Sequence, residues 1–204
     1  MKNKKIVLGT IFVFVIGFLL ATSFYKSSET KRIENMASND NAPFIRDHSP
    51  KFGKNSKKVV VVEFLDPECE ACGAFHPIVK KVFNEYEEDI QLVVRYLANH
   101  KNSPYVVKLV EAARIQNKYN EVLDIIFDTQ PIWAAHGNSK PKMIWKFLTR
   151  IEGLDINKLQ KDFDTIDISD VLSLDRADAS TLNVRGTPSF FVNGKRLEKL
   201  GYTN

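Results

Sequence analysis

The sequence is poor in cysteine: its 204 residues include two, Cys69 and Cys72, with none left over for a structural bridge. A small scaffold stapled by disulfides is therefore excluded, and these thiols remain for reactivity or for a metal. Histidine is scarce as well, with His48, His76, His100 and His136 in separate segments. His76 with the two cysteines falls short of the four ligands of a structural zinc site. Basic charge is nowhere concentrated; the formal excess is +4, which gives nucleic-acid binding no footprint. No internal repeat is visible, and the length suits one ordinary domain with extras rather than two.

Charge is missing altogether from Ile6 to Tyr25, IVLGTIFVFVIGFLLATSFY, a run of twenty residues. At ~1.5 Å per residue this covers the roughly 30 Å of a hydrocarbon core, so a transmembrane anchor over 6–25 is expected. Lys2, Lys4 and Lys5 precede the run and Lys26, Lys31 and Arg32 follow it. A short basic head ahead of the first apolar stretch favours a cytoplasmic 1–5 with the rest of the chain outside. The competing reading is a signal peptide cleaved at Ala21-Thr22-Ser23, although the run is longer than a usual signal core. No cysteine follows the run, which excludes a lipoprotein anchor. Both readings export the remainder: membrane-tethered on the periplasmic side in the first, soluble in the second. Residues 26–42 are polar and aperiodic and read as a flexible linker spanning on the order of 20–25 Å.

Beyond the linker, Val59–Leu65 (VVVVEFL) has the continuous apolar character of a strand buried on both faces. Asp66-Pro67-Glu68 ends it. Cys69, Cys72, Phe75, Val79, Val82, Phe83 and Tyr86 then recur at helical spacing, with Pro77 placed to kink the helix. Ile90–Tyr96 reads as a second strand. Ser103-Pro104 reads as an N-cap followed by proline at the first helical position. Helices are expected at about 104–118, 120–128, 141–151, 155–163 and 169–182, with Asp155 and Ser169 as caps for the last two. Asn193-Gly194, between the strand-like Thr187–Val192 and Lys195–Leu197, signals a closing hairpin. The expected fold class is α/β, interrupted by a helical insertion over about 101–182.

A C-x-x-C at the first turn of a helix favours a thiolate, because unpaired backbone N–H groups and the positive end of the helix dipole face the first sulfur. Cys69 is the expected nucleophile. Cys72, one turn later on the same face, is the expected resolving thiol. Glu63 is the single charge in its strand; buried there, it would hold a proton and could exchange it with Cys72. The bland alternative is a strand-end carboxylate reaching water. Pro188 precedes a strand, where proline is costly unless an exposed edge is needed. A cis Thr187–Pro188 bond would leave that edge open for an extended substrate.

Together, the strand carrying Glu63, the Cys69-x-x-Cys72 helix, Pro77, the helical insertion and Gly186-Thr187-Pro188 resemble the DsbA-like branch of the thioredoxin superfamily, over roughly 45–200. The resemblance implies a thioredoxin fold with an inserted helical domain within 43–204, and a cis-proline facing a redox-active Cys69–Cys72 pair. It further implies disulfide exchange with exported, cysteine-containing proteins and a quinone-coupled membrane redox partner. Neither a cofactor nor a resident metal is expected. A thioredoxin-like reductant and a copper-binding protein using the same cysteines are the alternatives. Two departures stand out. Glu70-Ala71 replaces the Pro-His of strongly oxidising relatives, and with Asp66 and Glu68 alongside, a less acidic Cys69 and a weaker oxidant are expected. The chain also stops at Asn204, soon after the hairpin, where the usual closing helix is expected to be missing or barely begun.

Overall fold

The computed structural model describes residues 2–37, 43–135 and 138–198. Five strands form one mixed sheet in the order β1-β3-β2-β4-β5: β1 (Lys51–Phe52), β2 (Val59–Leu65), β3 (Ile90–Tyr96), β4 (Ser189–Val192) and β5 (Lys195–Arg196). Central β2 runs parallel to β3, from Val59 opposite Ile90 to Leu65 opposite Tyr96, and antiparallel to β4. Its unbroken apolar run follows from that position, since both faces are covered. The Asn193-Gly194 turn has positive φ at both residues, 47° and 79°, as a two-residue hairpin of matching twist requires. The edge strand β1 carries no alternation a sequence reading could use; it pairs with β3 through two residues.

The period of two sorts the sheet into two cores. Val62, Phe64, Val93 and Phe191 face one side, against Ala179 of helix α8 (Ser169–Thr181) and Leu182 at its C-cap. Leu65, Val94 and Tyr96 face the other, against Cys72 of α2 (Glu70–Tyr86) and the helical insertion. That insertion comprises α3 (Ser103–Arg114), α4 (Tyr119–Asp128), α5 (Gln130–Trp133), a 3₁₀ turn at Pro141–Ile144, α6 (Trp145–Leu148) and α7 (Ile156–Thr165). Arg95, fully buried on the α8 side, pairs with Asp175 and Asp178 at 2.6 Å each, while Asp178 also takes a bidentate bond from Arg46. A charge can be buried here because each oxygen and guanidinium finds a partner.

Several expectations change. Residues 26–37 are helical, not a flexible coil: α1 runs unbroken over Lys2–Ala37. The stretch contains no glycine or proline to stop the helix, and Glu29 and Arg32 pair one turn apart. Its isolated apolar residues Ile33 and Met36 join the core that holds Phe44, Val62 and Phe191. Arg32 donates to the Thr181 carbonyl at 2.8 Å, Glu34 meets Lys195 at 3.6 Å, and Lys26 meets Glu198 at 2.6 Å. The rest of the expected linker, 38–42, and the chain end from 199 lie outside the described residues. The helix expected over 141–151 is a 3₁₀ turn followed by a single α turn. Ser103 is not an N-cap; its hydroxyl donates to the buried Asp66 carboxylate, and Asn102 holds the cap position. Ser169 lies inside α8, and its amide and hydroxyl donate capping-type bonds to the Asp167 carboxylate. Asp155 does cap α7, accepting from the Lys158 amide at 2.9 Å. Among the described residues one helix, α1, is long and apolar enough to cross a membrane.

Candidate active site

β2 ends at Leu65, and a four-residue connection delivers Cys69 to the N-cap of α2. Cys69 is extended there (φ −75°, ψ 122°) and half-buried, whereas Cys72, one turn deeper, is fully buried. The Cys69 thiol is lowered to about 5. A hydrogen bond from the Cys72 thiol contributes most; burial opposes it; the Thr187 side chain and the amides of Cys72 and Ala71 add to the lowering. Cys72 is pushed far above the ordinary thiol range, first by sharing its proton with Cys69 and then by burial. The pair is thus divided into an outer thiolate and an inner thiol, the order needed for attack followed by resolution.

Antiparallel pairing of β4 with β2 brings Ser189 opposite Phe64, so the residues just before β4 arrive beside the end of β2 and the cysteines. The Thr187–Pro188 bond is cis. The Cys69 sulfur lies 3.4 Å from the Thr187 carbonyl oxygen, to which it donates while protonated. Four of the five expected site residues, Cys69, Cys72, Thr187 and Pro188, therefore meet in one place although 115 positions separate Cys72 from Thr187.

Glu63 stands apart. It is buried, flanked across the sheet by Val94 and Phe190, and lies on the face that carries Leu65 toward α2. Burial alone raises its carboxyl to about 7, so the strand-end reading does not hold. No hydrogen bond joins it to either sulfur among the described residues, and a proton passing to Cys72 would need a bridging water.

The carboxylates expected to oppose the thiolate are tied elsewhere. Asp66, fully buried, accepts from the amides of Glu68, Asn99 and His100, from the His100 ring at 2.8 Å and from the Ser103 hydroxyl. Glu68 accepts from the Asn102 amide at 2.7 Å and from its side chain at 3.1 Å. Both charges are spent fastening the cysteine loop to the start of α3. Gln130 completes the clamp by donating to the Pro67 and Cys69 carbonyls at 3.0 Å, its side chain filling the space above Gly73. His100 lines a cavity of about 320 Å³ with Cys69, Glu68 and Glu70. Burial works against its charge, but the Asp66 bond and the negative charges of Asp66, Cys69 and Glu68 outweigh it, and its proton is held more tightly than usual. His100 and Gln130 had no sequence signal as site residues, since they come from segments that only folding brings to the cysteine loop, and Asp66 was legible as a nearby charge but not as the anchor of that loop.

A sheet of this order with a C-x-x-C at the mouth of its first internal helix, facing a cis-proline, defines a thioredoxin-type thiol protein. The thioredoxin family model matches residues 46–203, and the chain belongs to that family. Within it, the chain is 26% identical over 199 residues to the "Probable disulfide bond formation protein D" of Bacillus cereus, covering 95% of this chain and 90% of that one. It is also 28% identical over 145 residues to a Na(+)/H(+) antiporter NhaA of Herminiimonas arsenicoxydans, but spans only 22% of that relative's length. Among solved structures, the thiol-disulfide exchange protein alpha-DsbA2 of Wolbachia pipientis superposes with a TM-score of 0.67 at 18% identity, over 83% of this chain and 89% of that one, a likeness of fold.

Proposed function

We propose that this chain is a membrane-tethered, extracytoplasmic thiol–disulfide oxidoreductase that forms or exchanges disulfides in exported proteins through Cys69 and Cys72. The observation that carries the reading is the split between the sulfurs: a half-exposed Cys69 lowered to about 5 beside the Thr187 carbonyl, above a buried Cys72 raised in turn. In the oxidised protein, a substrate thiolate attacks Cys69, forming a mixed disulfide and releasing Cys72 as a thiolate that takes up a proton. A second substrate thiolate attacks the substrate sulfur of that mixed disulfide, giving a substrate disulfide and leaving Cys69 as its thiolate. Two electrons pass to the protein, and a quinone-coupled membrane partner would remove them. Glu63, able to hold a proton near neutrality, is the proposed proton donor and acceptor for Cys72 through water. Thr187 and Pro188 present the substrate-binding edge. The α1 helix is the proposed single-pass anchor, with the domain on the outer side.

The test uses the full chain in detergent with a reduced, unfolded cysteine protein. Oxidation of that protein by the disulfide form of the chain, lost in both Cys69→Ser and Cys72→Ser, is the expected result; given a disulfide-containing substrate instead, Cys72→Ser should be trapped as a mixed disulfide through attack of the Cys69 thiolate on the substrate disulfide. Alkylation of Cys69 should rise with pH about a midpoint near 5. A midpoint above 8, with no mixed disulfide, would remove the reading. A reduction potential near about −120 mV marks an oxidant and one near about −270 mV the reductant alternative; Cu(I) binding by the same pair without exchange marks the metal-handling one.

A further inference from the structure

On the Pro188 side of the cysteines lies a second, open pocket of about 600 Å³, whose lining includes Asn183, Arg185, Thr187, Pro188 and Arg196 but, among the described residues, no carboxylate. Its two guanidinium groups are held by one residue. Asn183, in the left-handed conformation at φ 55°, accepts from Arg185 through its side-chain oxygen at 3.0 Å and from Arg196 through its backbone carbonyl at 2.9 Å. Arg196 is half-buried over the Phe191 ring, and its proton is held less tightly than usual, first because of burial and then because of the neighbouring Arg185 charge. The nearest acid, Glu198, attracts Arg196 but is ion-paired with Lys26 of α1. Two like charges have thus been fixed side by side without a matching anion among the described residues of the pocket lining. A separate, smaller pocket at Cys69 is lined by Glu68, Glu70 and His100 and, among the described residues, by no lysine or arginine. The two pockets carry opposite character.

We infer that Arg185 and Arg196, positioned by Asn183, form a carboxylate-binding subsite for Asp or Glu side chains flanking the reactive cysteine of an extended polypeptide. The occupant is a peptide because Thr187 and Pro188 line the same pocket, and the Thr187 carbonyl touches the Cys69 sulfur. A strand passing that edge with its cysteine at Cys69 lays its neighbours on one side over the guanidiniums and those on the other toward Glu68 and Glu70. Arginine suits the role because its planar fork binds a carboxylate through two hydrogen bonds.

The inference rests on disulfide exchange at Cys69, and the experiment separates the two. Short peptides with a single cysteine carry two acidic, two amide or two lysine residues on one side or the other, and the rate of mixed-disulfide formation with the oxidised full chain in detergent is measured for each. The acidic peptide of one polarity should react several-fold faster than its amide counterpart, as an exposed to half-buried charge pair allows, with the ratio falling at high salt. In Arg185→Glu the ratio should invert in favour of lysine, a signature that loss of folding cannot produce, and in Arg196→Gln it should shrink. Equal rates across the set, or a preference that survives both substitutions, overturns the subsite while leaving the exchange chemistry standing. Failure of every peptide to react, with Cys69 still alkylating freely, overturns the exchange reading and the subsite with it.

Discussion

Glu63 shows how one buried side chain can trade stability for chemistry. Its carboxyl rises from an ordinary 4.5 to about 7, so the folded state binds a proton that the unfolded chain has released. Stability from this group is complete below about pH 4.5 and is lost as pH rises through 7, where the cost approaches roughly 3 kcal/mol. Glu63→Gln should therefore raise the melting temperature above pH 7, flatten the stability profile between those limits and slow the resolution step in which Cys72 acts. Unchanged stability at pH 8 would argue against a desolvated carboxyl. His100 acts in the opposite sense. Its cation, favoured by the Asp66 bond, shares a pocket with Cys69, Glu68 and Glu70 and supplies positive charge near the pair, where Glu70-Ala71 supplies none. Coupling between two titrating groups is reciprocal: if the Cys69 anion helps hold the His100 proton, the His100 cation helps hold the anion. His100→Gln should move the Cys69 alkylation midpoint upward and slow alkylation at pH 5 by roughly threefold, whereas a histidine with a packing role only would leave the midpoint in place.

At the scale of elements, the site is a junction of chain ends: the C-terminal end of β2, the N-terminal end of α2, the loop into α3 and the approach to β4. Each is anchored from behind. Asp66 ties the cysteine loop to α3, and Arg95 ties β3 to α8. Asp175 accepts from Arg95 through one oxygen and from the Tyr96 amide through the other at 2.6 Å, and it also meets His48 at 2.7 Å. Asp175→Ala leaves the Arg95 charge buried with half its partners gone, so a loss of about 3–5 kcal/mol in unfolding free energy is expected from denaturant titration. A loss under about 1 kcal/mol would mean that Arg95 finds water when Asp175 is removed.

At the scale of the whole molecule, α1 reaches the domain as one continuous helix and not through a flexible linker. From Tyr25, where the apolar run ends, to Ile33, where the helix enters the core, the rise is about 12 Å. The catalytic domain is therefore held close to the end of the apolar span in a fixed attitude. Ile33→Asp would place a charge in the core that holds Phe44, Val62 and Phe191. The expected outcome is faster amide hydrogen exchange across 29–37 and a melting temperature lower by several degrees, equivalent to about 2–3 kcal/mol. A freely moving linker would show neither effect.

Those chain ends differ in how far the amino-acid order alone determines them. The apolar run at 6–25, the continuous β2, the helix opening at Cys69 and the Asn193-Gly194 hairpin are set by residues within a few positions of one another, because hydropathy, helical period and turn conformation act locally. The acidity order of the two sulfurs follows in part from the same local order, through the orphan amides of a helix start. What Asp66 binds, why Glu63 keeps its proton, which histidine faces Cys69 and where Ile33 goes depend on burial and on partners dozens of residues away. Desolvation and ion pairing are properties of the assembled surroundings, which a one-dimensional pattern does not contain. Residues 26–37 make the point: polar and aperiodic by themselves, they become an ordered helix once two apolar side chains one turn apart meet a core supplied by the sheet and α8.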